Sequence, residues 1–120
     1  MKCIIAGSRT ITSYSEVARA ILNSDWIDDI TQVVSGRAKG VDRLGEQWAK
    51  AHGIPIQPFE VTKDEWKVFG SFAGRRRNRQ MAEYADLCIC VWDGESRGTK
   101  SMINLAREYG VPVFIRQVKL

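Results

Sequence analysis

The chain has 120 residues, of which 44% are hydrophobic and 27% are charged. This length fits one domain with a core of its own, and the composition is that of an ordinary soluble protein. The net charge of +4 suits an anionic partner, but the excess is so small that it predicts a local anion site rather than a broad nucleic-acid face.

The three cysteines, Cys3, Cys88 and Cys90, have neither the spacing of metal ligands nor the pattern of a secreted disulfide framework. They indicate a reducing cytoplasm, either that of a bacterium or, if the gene is carried by a phage, that of its host. The first residues lack a long apolar region, and no later segment reaches membrane-spanning length. We therefore expect one cytoplasmic domain over residues 1–120, with no metal, no cofactor and no membrane contact.

Residues Lys2–Ala6 form a predicted buried strand that ends in a turn at 7–10. Gly7 lets the backbone approach a phosphate, Ser8 offers a hydroxyl, and Arg9 offers a planar set of donors. A plain strand-to-helix turn with a solvated arginine is an equally good interpretation. The helix that follows is predicted from a cap and an apolar stripe, which are Ser13 or Ser15 with Val17, Ala18, Ile21 and Leu22.

A second predicted strand, Thr31–Val34, leads into a loop with two glycines, a serine and two basic residues. The helix after it has Asp42 in its first turn. A carboxylate there complements the helix dipole, and the functional alternative is that it accepts a ribose hydroxyl. His52 lies in the last turn of this helix, where capping explains it better than catalysis does. The loop residues are Ser35, Gly36, Arg37, Ala38, Lys39 and Gly40.

Residues 54–61 predict a third strand at a sheet edge, because Pro55 and Pro58 cannot donate to a ladder. Residues 62–72 then carry three aromatic side chains at roughly helical spacing. We expect them to pack in the core or in a subunit interface rather than to stack on a base. They are Trp66, Phe69 and Phe72.

The basic segment 73–81 follows, and helical geometry separates its members. Arg77 lies on an apolar stripe and turns toward the protein, whereas Arg75 and Arg79 point elsewhere. A guanidinium on such a stripe needs a partner, either a buried carboxylate or a ligand phosphate. The other residues of the stripe are Ala73, Met81 and Ala85, with Asn78 beside it.

The apolar run 87–92 predicts a strand that is covered on both faces. A polar loop at 93–99 follows it, and a helical pattern then runs to Gly110, where a left-handed cap belongs. This order places free N–H groups where a helix N-terminus holds an anion. A last strand is predicted at 111–115. The candidate ligand residues of the loop are Asp93, Gly94, Gly98 and Thr99.

Strands alternate with helices along the whole chain, which predicts a Rossmann-like three-layer α/β/α domain with a mostly parallel sheet. Ligands of such sheets lie outside the carboxyl ends of the strands. All three glycine loops follow strands, so they open on that one edge. The expected contacts are phosphates on backbone N–H groups of Ser8, 36–40 and 98–99, with Arg9 and Arg77 as charged clamps and Asp42 or Asp93 nearest a ribose.

Four motifs occur in a fixed order along nearly the whole chain. They are Gly7-Ser8-Arg9, then Ser35 to Asp42, then Arg77-Asn78-Arg79-Gln80-Met81 with Ala85-Asp86, and finally Trp92-Asp93-Gly94 followed by Gly98-Thr99. Together they resemble the small YspA-type branch of the SLOG superfamily, which joins the Rossmann domain of DNA-processing protein A to the Lonely-guy phosphoribohydrolases. The resemblance implies a nucleotide-derived ligand with its phosphates at the glycine loops, and often a homodimer. Members of the superfamily also occur as ligand sensors in bacterial immune systems and in phage or prophage genomes.

One position departs from the pattern of the Lonely-guy enzymes. In that family a glutamate three residues after a Gly-Thr pair works with an arginine four residues before a methionine. Arg77 matches that arginine, but the glutamate position is Met102. Methionine can neither stabilise an oxocarbenium ion nor activate water, so we assign no catalytic residue and do not expect this hydrolysis. Glu95 could substitute, although the pattern does not place it there.

Three hypotheses of different classes follow. The first is non-catalytic binding of an ADP-ribose-like or cyclic-nucleotide signal, as a sensor or, if phage-encoded, as a sponge that sequesters an immune second messenger. The second is a nucleotide hydrolase with a non-standard acid. The third is an accessory DNA-binding protein. We rank DNA last and expect nucleic acid to be an unlikely partner, because the domain is small, its excess charge is modest and no array of exposed aromatics is evident beside a basic groove.

Overall fold

The computed structural model describes residues 1–119. Five strands alternate with helices, and a short 3-10 turn at Ile27–Asp29 precedes the second strand. The strands are β1 (Lys2–Gly7), β2 (Gln32–Ser35), β3 (Ile56–Pro58), β4 (Leu87–Trp92) and β5 (Val113–Gln117). The helices are α1 (Tyr14–Asn23), α2 (Val41–Ala51), α3 (Lys63–Phe69), α4 (Phe72–Tyr84) and α5 (Arg97–Glu108).

The five strands form one parallel sheet in the order β3-β2-β1-β4-β5. The chain begins in the middle, builds one half outward through β2 and β3, and then returns to add β4 on the other side of β1. This reversal creates a topological switch point between β1 and β4, where Gly7 lies opposite Val91. The predicted Rossmann-like α/β fold is confirmed.

Two hydrophobic layers cover the sheet, because successive side chains of the central strands point to opposite faces and both faces are buried. In β1, Cys3 and Ile5 belong to the layer beneath α1 and α2, whereas Ile4 and Ala6 belong to the layer beneath α4 and α5. Helix α4 contributes Met81 to that second layer. The same helix therefore fixes one wall of the sheet edge described below.

Several boundaries differ from the sequence predictions. Strand β3 is much shorter than 54–61, although it does occupy a sheet edge, and β5 begins and ends two residues later than expected. Helix α5 begins at Arg97, because the side chain of Ser96 caps it by accepting the N–H of Thr99 at 3.3 Å. The polar loop after β4 is thus shorter than 93–99. No helix among residues 1–119 is both long enough and apolar enough to cross a membrane.

The aromatic segment before the basic cluster does not pack in the core, which was one of its two predicted locations. A capping box between Thr62 and Glu65 starts α3, and α3 then joins α4 through a tight turn. Trp66 remains 43% exposed and Phe72 remains 68% exposed. These two rings lie on the surface instead of in the core.

Candidate functional site

A cleft of about 430 Å³ opens at the carboxyl ends of β1 and β4, at the switch point of the sheet. Such a volume lies in the range of roughly 300–1,000 Å³ that is usual for ligand sites. All three predicted loops contribute to it, together with α4. The predicted site residues that line the cleft are Gly7, Arg9, Ala38, Asp42, Arg77, Asn78, Asp93, Gly98 and Thr99.

The other predicted site residues lie outside this lining, within the described part of the chain. Most of them hold the loops in place from behind. They are Ser8, Ser35, Gly36, Arg37, Lys39, Gly40 and Gly94.

Ser8 joins the first loop to the third. Its side chain is fully buried, its N–H donates to the carbonyl of Val91 at 3.0 Å, and its hydroxyl accepts the N–H of Asp93 at 3.0 Å. Both groups that we expected to meet a phosphate are therefore occupied by the protein itself. The predicted phosphate contact of Ser8 is wrong.

The second loop is built around the buried carboxylate of Glu46. Ser35 donates its hydroxyl to Glu46 at 2.7 Å, and the guanidinium of Arg37 contacts the same carboxylate at 3.4 Å. Arg37 has a positive φ of 61°, and its N–H donates to the Ser35 hydroxyl at 3.1 Å. Ser35 and Arg37 thus shape the loop and do not face the cleft.

Two glycines of this loop are required by packing. A Cβ added at Gly40, where φ is +79°, would lie 2.5 Å from the carbonyl oxygen of Ser8. A Cβ added at Gly36 would lie 2.8 Å from Nη1 of Arg77 and 2.9 Å from Oδ2 of Asp42. Close contact between loops therefore explains these two glycines. Within the loop, the N–H groups of Arg37 and Ala38 are bonded to Ser35 and Asp42.

Arg77 points inward, as its position on the apolar stripe of α4 predicts. Its Nη1 donates to the carbonyl of Gly36 at 2.8 Å, and its Nε donates to the side-chain oxygen of Asn78 at 3.0 Å. Asn78 in turn donates to the carbonyl of Gly98 at 3.4 Å. One arginine and one asparagine therefore tie α4 to the second loop and to the start of α5.

Arg77 has one negatively charged and one positively charged neighbour in the cleft, Asp42 and Arg9. Burial lowers the pKa of the Arg77 guanidinium, the negative charge of Asp42 raises it, and the positive charge of Arg9 lowers it. Arg9 itself is exposed and lines the same cleft. The two predicted clamps thus lie close enough to repel each other, which favours an anion between them.

Asp42 lies at the floor of the cleft and is only 4% exposed. Burial raises its pKa to about 6, against the opposing effects of the N–H of Ala38, the charge of Arg77 and the N–H of Gly7. The negative charge of Glu46 also raises the pKa. Its Oδ2 accepts the N–H of Ala38 at 3.2 Å, so the carboxylate holds the second loop in addition to facing the cleft.

Asp93 lies at the mouth of the cleft and organises the third loop. Its Oδ1 accepts the N–H groups of Glu95 and Ser96 at 2.8 Å each, and its Oδ2 accepts the hydroxyl of Thr10 at 2.9 Å. The backbone N–H groups are the main cause that lowers its pKa to about 2. Gly94, the next residue, packs against Gln117 and away from the cleft.

Two helices direct their N-terminal ends at this cleft. The first N–H of α2, that of Val41, donates to the carbonyl of Ser8 at 3.4 Å, and Asp42 follows it. At α5 the Ser96 side chain caps the N–H of Thr99, and the N–H groups of Arg97 and Gly98 precede that of Lys100, which makes the first intrahelical bond, to the carbonyl of Ser96. The positive ends of two helix dipoles therefore favour a negative group in the cleft.

Sequence patterns missed six residues of the lining. Thr10, Glu95 and Ser96 lie inside the predicted loops, so their side chains could have been included. The apolar part of the wall carried no chemical signal, because its residues look like ordinary core positions. The missed residues are Ala6, Thr10, Met81, Glu95, Ser96 and Met102.

The outer side of α4 carries an exposed aromatic ring with basic side chains around it. Phe72 is exposed beside Arg75, Arg76 and Arg79, and these four residues surround a hollow of about 270 Å³. The guanidinium of Arg76 lies 3.7 Å from the ring centre of Phe69. One exposed aromatic ring therefore lies among three arginines on this surface.

No family model matches the chain. Over 85 residues it is 34% identical to the Gene 61 protein of Mycobacterium phage D29, and the match covers 68% of this chain and 67% of that protein. The chain belongs to the family of this Gene 61 protein.

Two solved structures of DNA processing protein A share the fold of this Gene 61 family member. The Helicobacter pylori protein matches 100% of the chain, with a TM-score of 0.73 and 22% sequence identity. The Streptococcus pneumoniae protein matches 95% of the chain, with a TM-score of 0.69 and 19% sequence identity. The chain spans 66% of the first structure and 49% of the second. The first is described for its unique single-stranded DNA binding mode.

These comparisons contradict two predictions. The two solved structures that share the fold are DNA processing proteins, not sensors or sponges of an ADP-ribose-like or cyclic-nucleotide messenger. The expectation that nucleic acid is an unlikely partner is wrong for the same reason. The third hypothesis, an accessory DNA-binding protein, agrees better with the relatives of the fold.

Proposed function

We propose that this member of the Gene 61 family binds single-stranded DNA in the cleft at the switch point. The observation that carries the proposal is the convergence of Arg9, Arg77 and the first turn of α5 on one cleft. Each of these groups favours an anion, and a DNA phosphate is the anion that fits a fold shared with DNA-processing proteins.

Arg77 is the main phosphate ligand in this proposal. Its guanidinium has five N–H donors, and the bonds to Gly36 and Asn78 fix its plane while leaving further donors for a phosphate. Arg9 is exposed and supplies a second, more adaptable charge. The N–H groups of Arg97 and Gly98 offer main-chain contacts without a further side chain.

The apolar part of the wall suits the rest of a nucleotide. Ala6, Met81 and Met102 lie on one side of the cleft, behind the charged groups. A sugar or base edge that contacts these side chains leaves water while its phosphate stays near Arg77. A cleft of about 430 Å³ has room for an unpaired nucleotide. Single-stranded DNA is therefore the favoured ligand.

The assignment to the YspA-type branch of the SLOG superfamily is part of the same proposal, because the four motifs surround this cleft. We also propose that residues 1–120 act as one domain. The three cysteines are free and buried in the described chain, which fits a reducing compartment such as the cytoplasm of a phage host.

Fluorescence anisotropy with labelled oligothymidylate tests the proposal. We expect saturable binding that weakens as salt is raised, and an unlabelled single strand that competes far better than an unlabelled duplex. Arg77→Ala should weaken binding by about tenfold or more, as expected for loss of a charge-assisted hydrogen bond of about 1.5–3 kcal/mol.

The matched control is Arg19→Ala, which removes the same charge from an exposed position on α1. It should leave the affinity within about twofold of the unmodified protein. Equal losses for both variants, or equal competition by duplex and single strand, would show binding to net charge alone and would contradict the proposal.

A further inference from the structure

We propose that a bound single strand continues from the cleft along a basic and aromatic track on the outer side of α4 and α5. The track consists of Arg97 and Lys100 on α5 and of Phe72, Arg75, Arg76 and Arg79 on α4. This inference rests on the proposed function and extends it, because it assigns a second stretch of the strand to a surface outside the cleft.

The first observation is the continuity of three depressions. A groove of about 250 Å³ between α4 and α5 is lined by residues that include Arg75, Arg97 and Lys100. Arg97 of the groove and Gly98 of the cleft are consecutive residues in the first turn of α5, so the two depressions lie on either side of that turn. Arg75 lines both this groove and the hollow around Phe72, so the groove continues into that hollow.

The second observation is the charge of the track. Its residues provide five cationic side chains. The acidic groups close to it are Glu108 in the groove, Glu65, which lies 4.0 Å from Arg76, and Glu83, one helical turn after Arg79. A series of spaced cations along a surface matches the repeat of phosphates along a flexible strand.

The third observation is the exposure of Phe72. A phenylalanine that is 68% exposed at the first position of a helix contributes little to the core. Beside three arginines, its ring is a platform on which an unpaired base can stack while the guanidinium groups hold the neighbouring phosphates. A rigid duplex presents no free base face, so this surface also favours a single strand.

The test compares oligothymidylates of about 4 and about 16 nucleotides, the limits of the usual site size of one single-strand-binding domain. We expect the longer strand to bind the unmodified protein at least tenfold more tightly. Phe72→Ala should weaken binding of the longer strand by about tenfold and leave the shorter one unchanged, while Phe72→Trp should keep the affinity for both.

Leu22→Ala is the matched control, because Leu22 is an exposed apolar residue on α1 and is 60% exposed. It should alter neither affinity. Circular dichroism and a thermal melt establish that each variant is folded, which we expect since Phe72 is exposed.

Several outcomes would overturn the track. Equal affinity for the two lengths, or equal weakening of both by Phe72→Ala, would leave the cleft as the whole site. If Phe72→Ala dissociates an oligomer in light scattering and does not change DNA affinity, this face is an interface between copies of the chain. If Arg77→Ala does not alter binding while Phe72→Ala does, the cleft proposal fails and the outer surface stands. No binding of either length overturns both.

Discussion

Helix α4 carries arginines on two sides, and their surroundings differ. On the inner side, Arg77 is partly buried and hydrogen-bonded to the carbonyl of Gly36 and to Asn78. On the outer side, Arg75, Arg76 and Arg79 are exposed around Phe72. The same residue type is thus hydrogen-bonded and partly buried on the inner side and exposed on the outer side.

This difference indicates how each side can contribute to binding. The position of Arg77 is fixed before a ligand arrives, so little conformational entropy is lost when a phosphate binds. The outer arginines must be ordered by the ligand and are screened by salt. We therefore expect the inner side to determine geometry and the outer side to add length-dependent, salt-sensitive affinity.

The largest contrast should appear in stability. Met81 is buried on the inner side of α4, and Met81→Ala should lower the free energy of unfolding by about 2–5 kcal/mol through a cavity in the core. Phe72→Ala on the outer side should change it by no more than about 0.5 kcal/mol. Urea denaturation followed by circular dichroism measures both. Similar losses for the two variants would mean that Phe72 packs on something and is not a free surface.

Asp42 should make stability depend on pH. Its pKa rises from 3.8 in the unfolded chain to about 6 in the folded protein, so the folded state binds the proton more tightly. The stability that this adds is fully present below pH 3.8 and is lost as the pH rises through 6. At about 1.4 kcal/mol per pKa unit, the free energy of unfolding should fall by about 2–3 kcal/mol between pH 4 and pH 8 from this residue.

Asp42→Asn should remove that part of the pH dependence, because asparagine keeps an oxygen for the N–H of Ala38 and does not titrate. The groups that face Asp42 are Arg77, Glu46 and the N–H groups of Ala38 and Gly7, and all of them remain in the variant. Asp28→Asn, at an exposed carboxylate, is the control. An unchanged slope in Asp42→Asn would assign the titration to another group.

Arg77→Lys tests whether geometry matters beyond charge. Lysine cannot donate to Gly36 and Asn78 and still present a planar fork to a phosphate, so single-strand affinity should fall by about 1 kcal/mol with the charge retained. Anisotropy titration measures this loss. Arg19→Lys, at an exposed position on α1, should leave the affinity unchanged. A comparable loss there would mean that the position of Arg77 is not the cause.

The smallest effect should be the salt response of the outer side. Arg75→Ala should reduce the slope of log affinity against log salt by about 0.7, the value for one phosphate contact of a single strand. The loss of affinity caused by Arg75→Ala should become smaller at high salt, whereas the loss caused by Arg77→Lys should remain. Titrations of a long oligothymidylate at several salt concentrations distinguish the two. A slope that does not change would exclude Arg75 from contact with phosphate.

The sequence predicted the architecture well because its signals are local. Alternating buried strands and amphipathic helices indicate a parallel sheet, and the sheet then brings the loops after β1, β2 and β4 to one edge. The inward direction of Arg77 followed from helical spacing alone. These inferences need only periodicity and strand direction.

The roles of individual polar residues could not be predicted, because their partners are distant in sequence. The hydroxyl of Ser8 accepts an N–H from Asp93, which lies 85 residues away, and that of Ser35 reaches Glu46 on the next helix. A serine in a glycine loop looks the same whether it faces a ligand or a carboxylate. The exposure of Phe72 likewise depends on how α3 and α4 pack, which aromatic spacing does not reveal.

Gly36 leaves no spare volume behind the arginine of the cleft. Since a single methyl group there would lie within 3 Å of both Arg77 and Asp42, even alanine would push the two side chains apart. The second loop, the floor of the cleft and α4 therefore pack closely together at Gly36, which has no side chain. A larger residue at this position would displace Arg77 or Asp42, whereas Val68 on α3 is 73% exposed and has room for substitution.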